Sequence, residues 1–180
     1  MDKWSWAKRS VGVALLLSIS GCGNISNIQS FSTPYSEPAS GQTARLRVVT
    51  DGMARGVPGR DCVDWRVPGA GVMAVVQSGF ANRNGQSLGM PASDLMVAGV
   101  ALARTELKVP GNQPFAVSYQ NKAASCRSTF SFTPKSGQDY ELILIDSDSC
   151  VTSLQKLNPG AKSTWQTTQK ASLCNAMDAF

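Results

Sequence analysis

The chain has 180 residues, 17 Lys and Arg against 12 Asp and Glu, a formal net charge of +5, and no histidine. So small a positive balance demands no nucleic-acid partner, and the missing histidine excludes Ser-His-Asp and Cys-His catalysis and every histidine-based metal site. The length suits one domain with a proper core behind a short leader.

The leader comes first. Lys3, Lys8 and Arg9 precede an uncharged run from Val11 to Ile19. That run is too short to cross a bilayer, which needs roughly 20 apolar residues. A basic start, a short apolar stretch and small residues at its end are the layout of a secretory signal peptide. The stretch ends in Ile19-Ser-Gly-Cys22, which resembles the bacterial lipobox. The resemblance implies cleavage after residue 21, a diacylglycerol on the Cys22 thiol and acylation of the freed amine. One acyl chain holds weakly, at about 0.8 kcal/mol per buried CH₂, whereas two or three hold durably. Gly23 stands where an aspartate retains many such proteins in the inner membrane. The same resemblance therefore implies the cell outer membrane, on its periplasmic face. Loss of residues 1–21 removes three cations and one anion, taking +5 to +3.

Residues 22–42 follow as the lipidated cysteine and a tether rich in Ser, Asn, Pro and Gly, a flexible composition. Residues 43–180 form the domain. It opens with "TARLRVVT", in which Ala44, Leu46 and Val48 alternate with Arg45 and Arg47, the pattern of a half-buried strand. The Gly- and Pro-rich 51–71 stretch reads as an irregular loop pinned by Cys62. "VMAVVQ" is a short strand, and "NRNGQSLGMPAS" is a loop with an Asn-Gly turn. "LMVAGVALARTELKVP" is ambiguous: its first half has helical length, while its Val content and the Glu-Leu-Lys-Val alternation favour a strand. "FAVSYQ" is a strand, and in "SCRSTFSF" Cys126, Ser128, Phe130 and Phe132 share a face. "TPKSG" reads as the turn of a hairpin to "QDYELILID". "SCVTSLQKL" is another strand, and "KASLCNAMDAF" has the look of a short C-terminal helix. Seven or eight short strands with regular turns predict an all-β fold, a single antiparallel β-sandwich.

With Cys22 given to lipid, Cys62, Cys126, Cys150 and Cys174 form an even set in an exported chain, which predicts two disulfides. Of the three connectivities, Cys62 with Cys126 and Cys150 with Cys174 are favoured, the first to join separated parts of a sandwich and the second to tie down the tail. Arg45, Arg47, Arg55, Arg60 and Arg66 are interleaved with Asp51, Asp61 and Asp64. They read as a solvated mixed-charge face, with anionic glycan or lipid headgroups as the other reading.

Chemical motifs are sparse. Gly69-Ala-Gly71-Val-Met-Ala74 fits a dinucleotide fingerprint but lacks the required strand before and helix after. Ser153-Leu-Gln-Lys156 has the spacing of a Ser-Lys nucleophile, yet on a strand an odd offset separates the two side chains. Asp146 and Asp148 begin like a calcium loop, but Val151 and Leu157 occupy its glycine and glutamate positions. The terminal Phe180 is similar to the ending of outer-membrane barrels, without the alternation a barrel strand needs. Asp61, Asp64 and Trp65 are the nearest approach to a sugar-binding set, two carboxylates beside an aromatic face. The competing reading makes Trp65 a core residue packed on a disulfide.

The lipobox, "ARLRVV", "CVDW" and "FSFTPKSGQDYELIL", with Pro134, Gly137 and Tyr140 around the last hairpin, resemble a group of small bacterial lipoproteins. These carry one immunoglobulin-like or transthyretin-like β-sandwich behind the lipidated cysteine. The resemblance implies no residue-level activity. The expectation is a membrane-anchored, non-enzymatic lipoprotein of the cell envelope with a binding or structural role. It has no cofactor, no metal and no nucleic-acid partner, and it contacts the membrane through its lipid and then an envelope protein or anionic glycan. The alternatives are an accessory subunit of an envelope assembly such as a secretion system, and a glycan-binding module with Trp65 exposed.

Overall fold

The alternating run that opens the domain forms strand β1 (Thr43–Thr50) in a computed structural model that describes residues 28–93, 101–146 and 149–175. Nine strands follow: β2 (Met53–Pro58), β3 (Gly71–Val75), β4 (Ala103–Pro110), β5 (Phe115–Gln120), β6 (Arg127–Phe132), β7 (Asp139–Asp146), β8 (Cys150–Asn158), β9 (Ala161–Trp165) and β10 (Gln169–Lys170). They form two five-stranded sheets, β4-β1-β7-β8-β9 and β10-β6-β5-β2-β3. Neighbours are antiparallel except β1 and β7, which run parallel. The chain is all-β. The leader with Cys22, residues 95–100 of the ambiguous segment, Asp148 and Phe180 lie outside the described residues.

Both sheets feed one hydrophobic cluster. Leu46, Val48, Leu107, Val109, Leu142, Leu144 and Leu154 come from the first, and Ala54, Met73, Phe115, Val117, Phe130 and Phe132 from the second. Period-two alternation puts each set on one face of its sheet. Tyr35, Phe115, Phe132 and Tyr140 make a chain of edge-on and tilted ring contacts through this core, with centroids 5.7 to 6.0 Å apart.

Several expectations are corrected. The "TPKSG" turn does not make a hairpin: β6 and β7 belong to different sheets, and the segment carries the chain from one to the other. Strand β2 arises inside the expected loop. It is buried on both faces, with Ala54 and Gly56 towards the core and Met53, Arg55 and Val57 under the loops outside, so it lacks the alternation of a half-buried strand. The C-terminal stretch is extended, not helical, over its described part. Lys170 is in β10, and Leu173 forms a parallel bridge with Val63.

The disulfides pair differently from the favoured scheme. Cys62 joins Cys174, and Cys126 joins Cys150. Cys126 and Cys150 stand at the entrances of β6 and β8, so this bridge links the two sheets. The Val63–Leu173 bridge brings the C-terminal stretch to Cys62. One bridge spans the sheets and one ties the tail, with partners exchanged.

Part of the stretch expected to be tether, from residue 28 on, packs against the domain. A helical turn covers residues 28–32, Ser30 is buried and Tyr35 is 0% exposed. Pro34 bridges to Val72 beside it. The phenol of Tyr35 also donates to the Lys108 carbonyl at 3.2 Å.

Candidate functional site

A pocket lies on the face of the β10-β6-β5-β2-β3 sheet that points away from the core. Strand register builds its floor. Arg55 on β2 lies opposite Ser118 on β5, which lies opposite Thr129 on β6; one step along, Gln120 lies opposite Arg127. Offsets of two keep Ser118 with Gln120 and Arg127 with Thr129 on one face, while Val117 and Tyr119 on either side of Ser118, and Phe130 after Thr129, enter the core. Phe31 supplies one wall, and Val63, Trp65 and Leu173 another. The second wall is held firmly. The Val63 N–H donates to the Ser172 carbonyl, the Cys174 N–H donates to the Val63 carbonyl, and the Cys62–Cys174 disulfide closes the pair. The cavity measures about 350 Å³, at the small end of the roughly 300–1,000 Å³ usual for ligand pockets.

Arg55 dominates its electrostatics. The residue is 7% exposed, and its guanidinium carbon lies 3.9 Å from the Phe31 ring centroid and 4.0 Å from that of Trp65. Its Nη1 donates to Ser30 Oγ at 2.6 Å. Burial lowers its pKa to about 10, which still leaves it charged at neutral pH. Aromatic faces attract a desolvated cation by about 2 kcal/mol, which offsets part of the cost of burying it.

The sequence-predicted trio does not assemble here. Asp61 is exposed, and neither it nor Asp64 lines the pocket. Asp64 Oδ1 accepts from Arg66 Nε at 2.8 Å and from the Arg66 N–H at 3.0 Å. These bonds hold its carboxyl below the usual carboxylate range against a smaller opposing effect of burial. Trp65 is 8% exposed and packs with Val57, Val63, Ala70 and Ala116. Its ring is a platform for Arg55, not an exposed face for a sugar.

The expected solvated arginine face is corrected at Arg47 and Arg55, while Arg60 and Arg66 are exposed. On the other sheet, Glu106, Arg47, Glu141 and Gln155 stand opposite one another across β4, β1, β7 and β8, and all four are buried. Residues 86–93 close over them. Arg47 donates to the carbonyls of Met90 and Pro91, the Leu88 and Met90 N–H groups donate to Glu106 Oε2, and Ser93 and Gln155 donate to Glu141. Of the five arginines, Arg47 and Arg55 are buried, and Arg45 makes a two-point contact with Asp139 at 2.6 Å.

The remaining motifs have structural explanations. A Cβ on Gly71 would run into the backbone of Thr33 and Pro34, so this glycine admits the chain's own N-terminal segment. Strand β8 carries both Ser153 and Lys156, which the odd offset directs to opposite faces. Asp146 accepts from Asn121, and its N–H donates to Asp51 at 2.9 Å. Among the described residues no three His, Cys, Asp or Glu side chains are grouped to hold a metal, and no helix is long and apolar enough to cross a membrane.

Sequence reading missed Phe31, Ser118, Arg127 and Thr129, and took Arg55 only as one of five arginines in a mixed-charge stretch. The usable signal was Arg55 in "MARGVP", a charge amid small and apolar residues. No family model matches the chain, and no curated protein or solved structure matches it.

Proposed function

We propose that the chain is a lipid-anchored cell-envelope protein whose single β-sandwich binds a partner without catalysing a reaction. The observation that carries this reading is the fate of the cysteines. Cys62, Cys126, Cys150 and Cys174 pair with one another, and Cys22, the fifth, ends the lipobox-like stretch. An oxidising compartment and a lipidated cysteine account for all five together. The sandwich reading draws on the core cluster that the two sheets share.

Anchored at Cys22, the domain sits close to its membrane. Ser30, which is buried, lies eight positions after Cys22, a reach of at most about 28 Å at roughly 3.5 Å per residue. The outer membrane, seen from the periplasm, is the proposed site, and an envelope protein or anionic glycan the proposed partner. An accessory role in an envelope assembly fits the same architecture.

Intact mass of the protein purified from host membranes, with and without reduction, tests the anchor. The expected chain begins at Cys22, carries added acyl mass and gains two hydrogens for each disulfide on reduction. Cys22→Ser should abolish the acyl mass and release the protein from membranes. A chain that lacks acyl mass or retains residues 1–21 overturns the proposal.

A further inference from the structure

We propose that the pocket between Phe31, Trp65 and the β2-β5-β6 face is a binding site for a small molecule that carries an oxyanion, a carboxylate or phosphate, on an apolar or planar body. This rests on the reading of the domain as a binding module and not on the lipid anchor.

Charge comes first. Among the described residues the pocket is lined by two arginines, Arg55 and Arg127, and by no acidic side chain. They sit at different depths, Arg55 nearly buried and Arg127 exposed. An anion drawn to the mouth by Arg127 is led towards the less hydrated cation within, where attraction is screened least. Hydrogen bonding comes second. The hydroxyls of Ser118 and Thr129 and the amide of Gln120 lie on the strands between and beside the two arginines. Guanidinium and hydroxyl groups together suit the several lone pairs of an oxyanion. The walls come third. Phe31, Val63, Trp65 and Leu173 are apolar and favour a ligand with carbon surface of its own over a bare inorganic ion.

The site is also built to keep its shape. The Cys62–Cys174 bridge fixes the Val63–Leu173 wall, and the Ser30 hydroxyl and two rings hold Arg55. Preorganised donors lose little freedom on binding.

Calorimetric titration of the full chain with 4-phenylbutyrate and phenyl phosphate, against neutral 4-phenylbutyramide, tests the proposal. At least one of the two acids should bind, and the neutral amide should bind about tenfold more weakly or worse, the usual effect of losing a charge-assisted hydrogen bond. Whichever acid binds identifies the source of the oxyanion. Arg127→Gln, at an exposed position, should weaken that acid by a similar factor and steepen no other property. Arg55→Gln should abolish binding, with circular dichroism to confirm the fold. Failure of both acids, or equal affinity for acid and amide, overturns the anion site. An unchanged affinity in Arg127→Gln does the same. Equal binding of all three probes would leave the binding-module reading in place, which separates the two failures.

Discussion

The guanidinium of Arg47 lies 2.7 Å from Glu106 and 3.3 Å from Glu141, and all three side chains are buried. Two carboxyl groups share one arginine under the 86–93 loop. Burial alone would raise the Glu106 pKa. The Arg47 bond and the N–H groups of Leu88 and Met90 outweigh it and bring the value down to about 2. A carboxylate depressed in the folded state stabilises above its unfolded pKa, and that contribution disappears as pH falls. Stability should therefore decline between about pH 4.5 and pH 2, read as the urea midpoint across that window. Glu106→Gln should flatten this decline and cost about 3 kcal/mol at neutral pH.

The two disulfides should differ in value. Cys62–Cys174 closes a separation of 112 residues and Cys126–Cys150 one of 24. In the chain-entropy account these correspond to about 5 and about 3 kcal/mol. Replacing both cysteines of each bridge by alanine and measuring denaturant unfolding checks the order. The Cys62/Cys174 variant should also bind pocket ligands more weakly, because Val63 and Leu173 lose their clamp.

Gly71 marks where the N-terminal segment meets the second sheet. A methyl there collides with the backbone of Thr33 and Pro34, and backbone cannot swing aside as a long side chain does. Gly71→Ala should displace that segment and cost about 1–3 kcal/mol, the range of overpacking. Limited proteolysis ahead of Tyr35 should become faster, read by mass spectrometry of the fragments.

Tyr35 separates packing from hydrogen bonding at the same docking point. The ring is fully buried, and its hydroxyl makes one bond, to the Lys108 carbonyl. Tyr35→Phe should cost about 1 kcal/mol, and Tyr35→Ala about 3–5 kcal/mol. Chemical denaturation of the pair gives the two values directly.

The strands with one apolar face, β1, β6 and β7, were legible because their alternation is intact. Strand β2 was not, since loops cover its outer face and both its faces are apolar or paired. The arginines misled for a related reason: Arg47 becomes internal only when β4 and β7 align Glu106 and Glu141 beside it. Glu141 lies 94 positions away in the chain, and no local pattern carries that information. The same holds for the pocket, whose parts come from residues 31, 55, 65, 118, 127 and 173. The cysteine number predicted two bridges, while their partners depended on strand order.

The parallel pairing of β1 with β7 sets a condition on timing. β1 occupies an inner position in its sheet, yet one of its two flanks stays open until residues 139–146 have been made. Cys62 waits longer still, for Cys174. Contacts this distant make folding slow relative to local hairpins, and a chain emerging N-terminus first cannot finish either sheet early. The first sheet therefore stays incomplete, and Cys62 unpaired, until most of the chain has been synthesised.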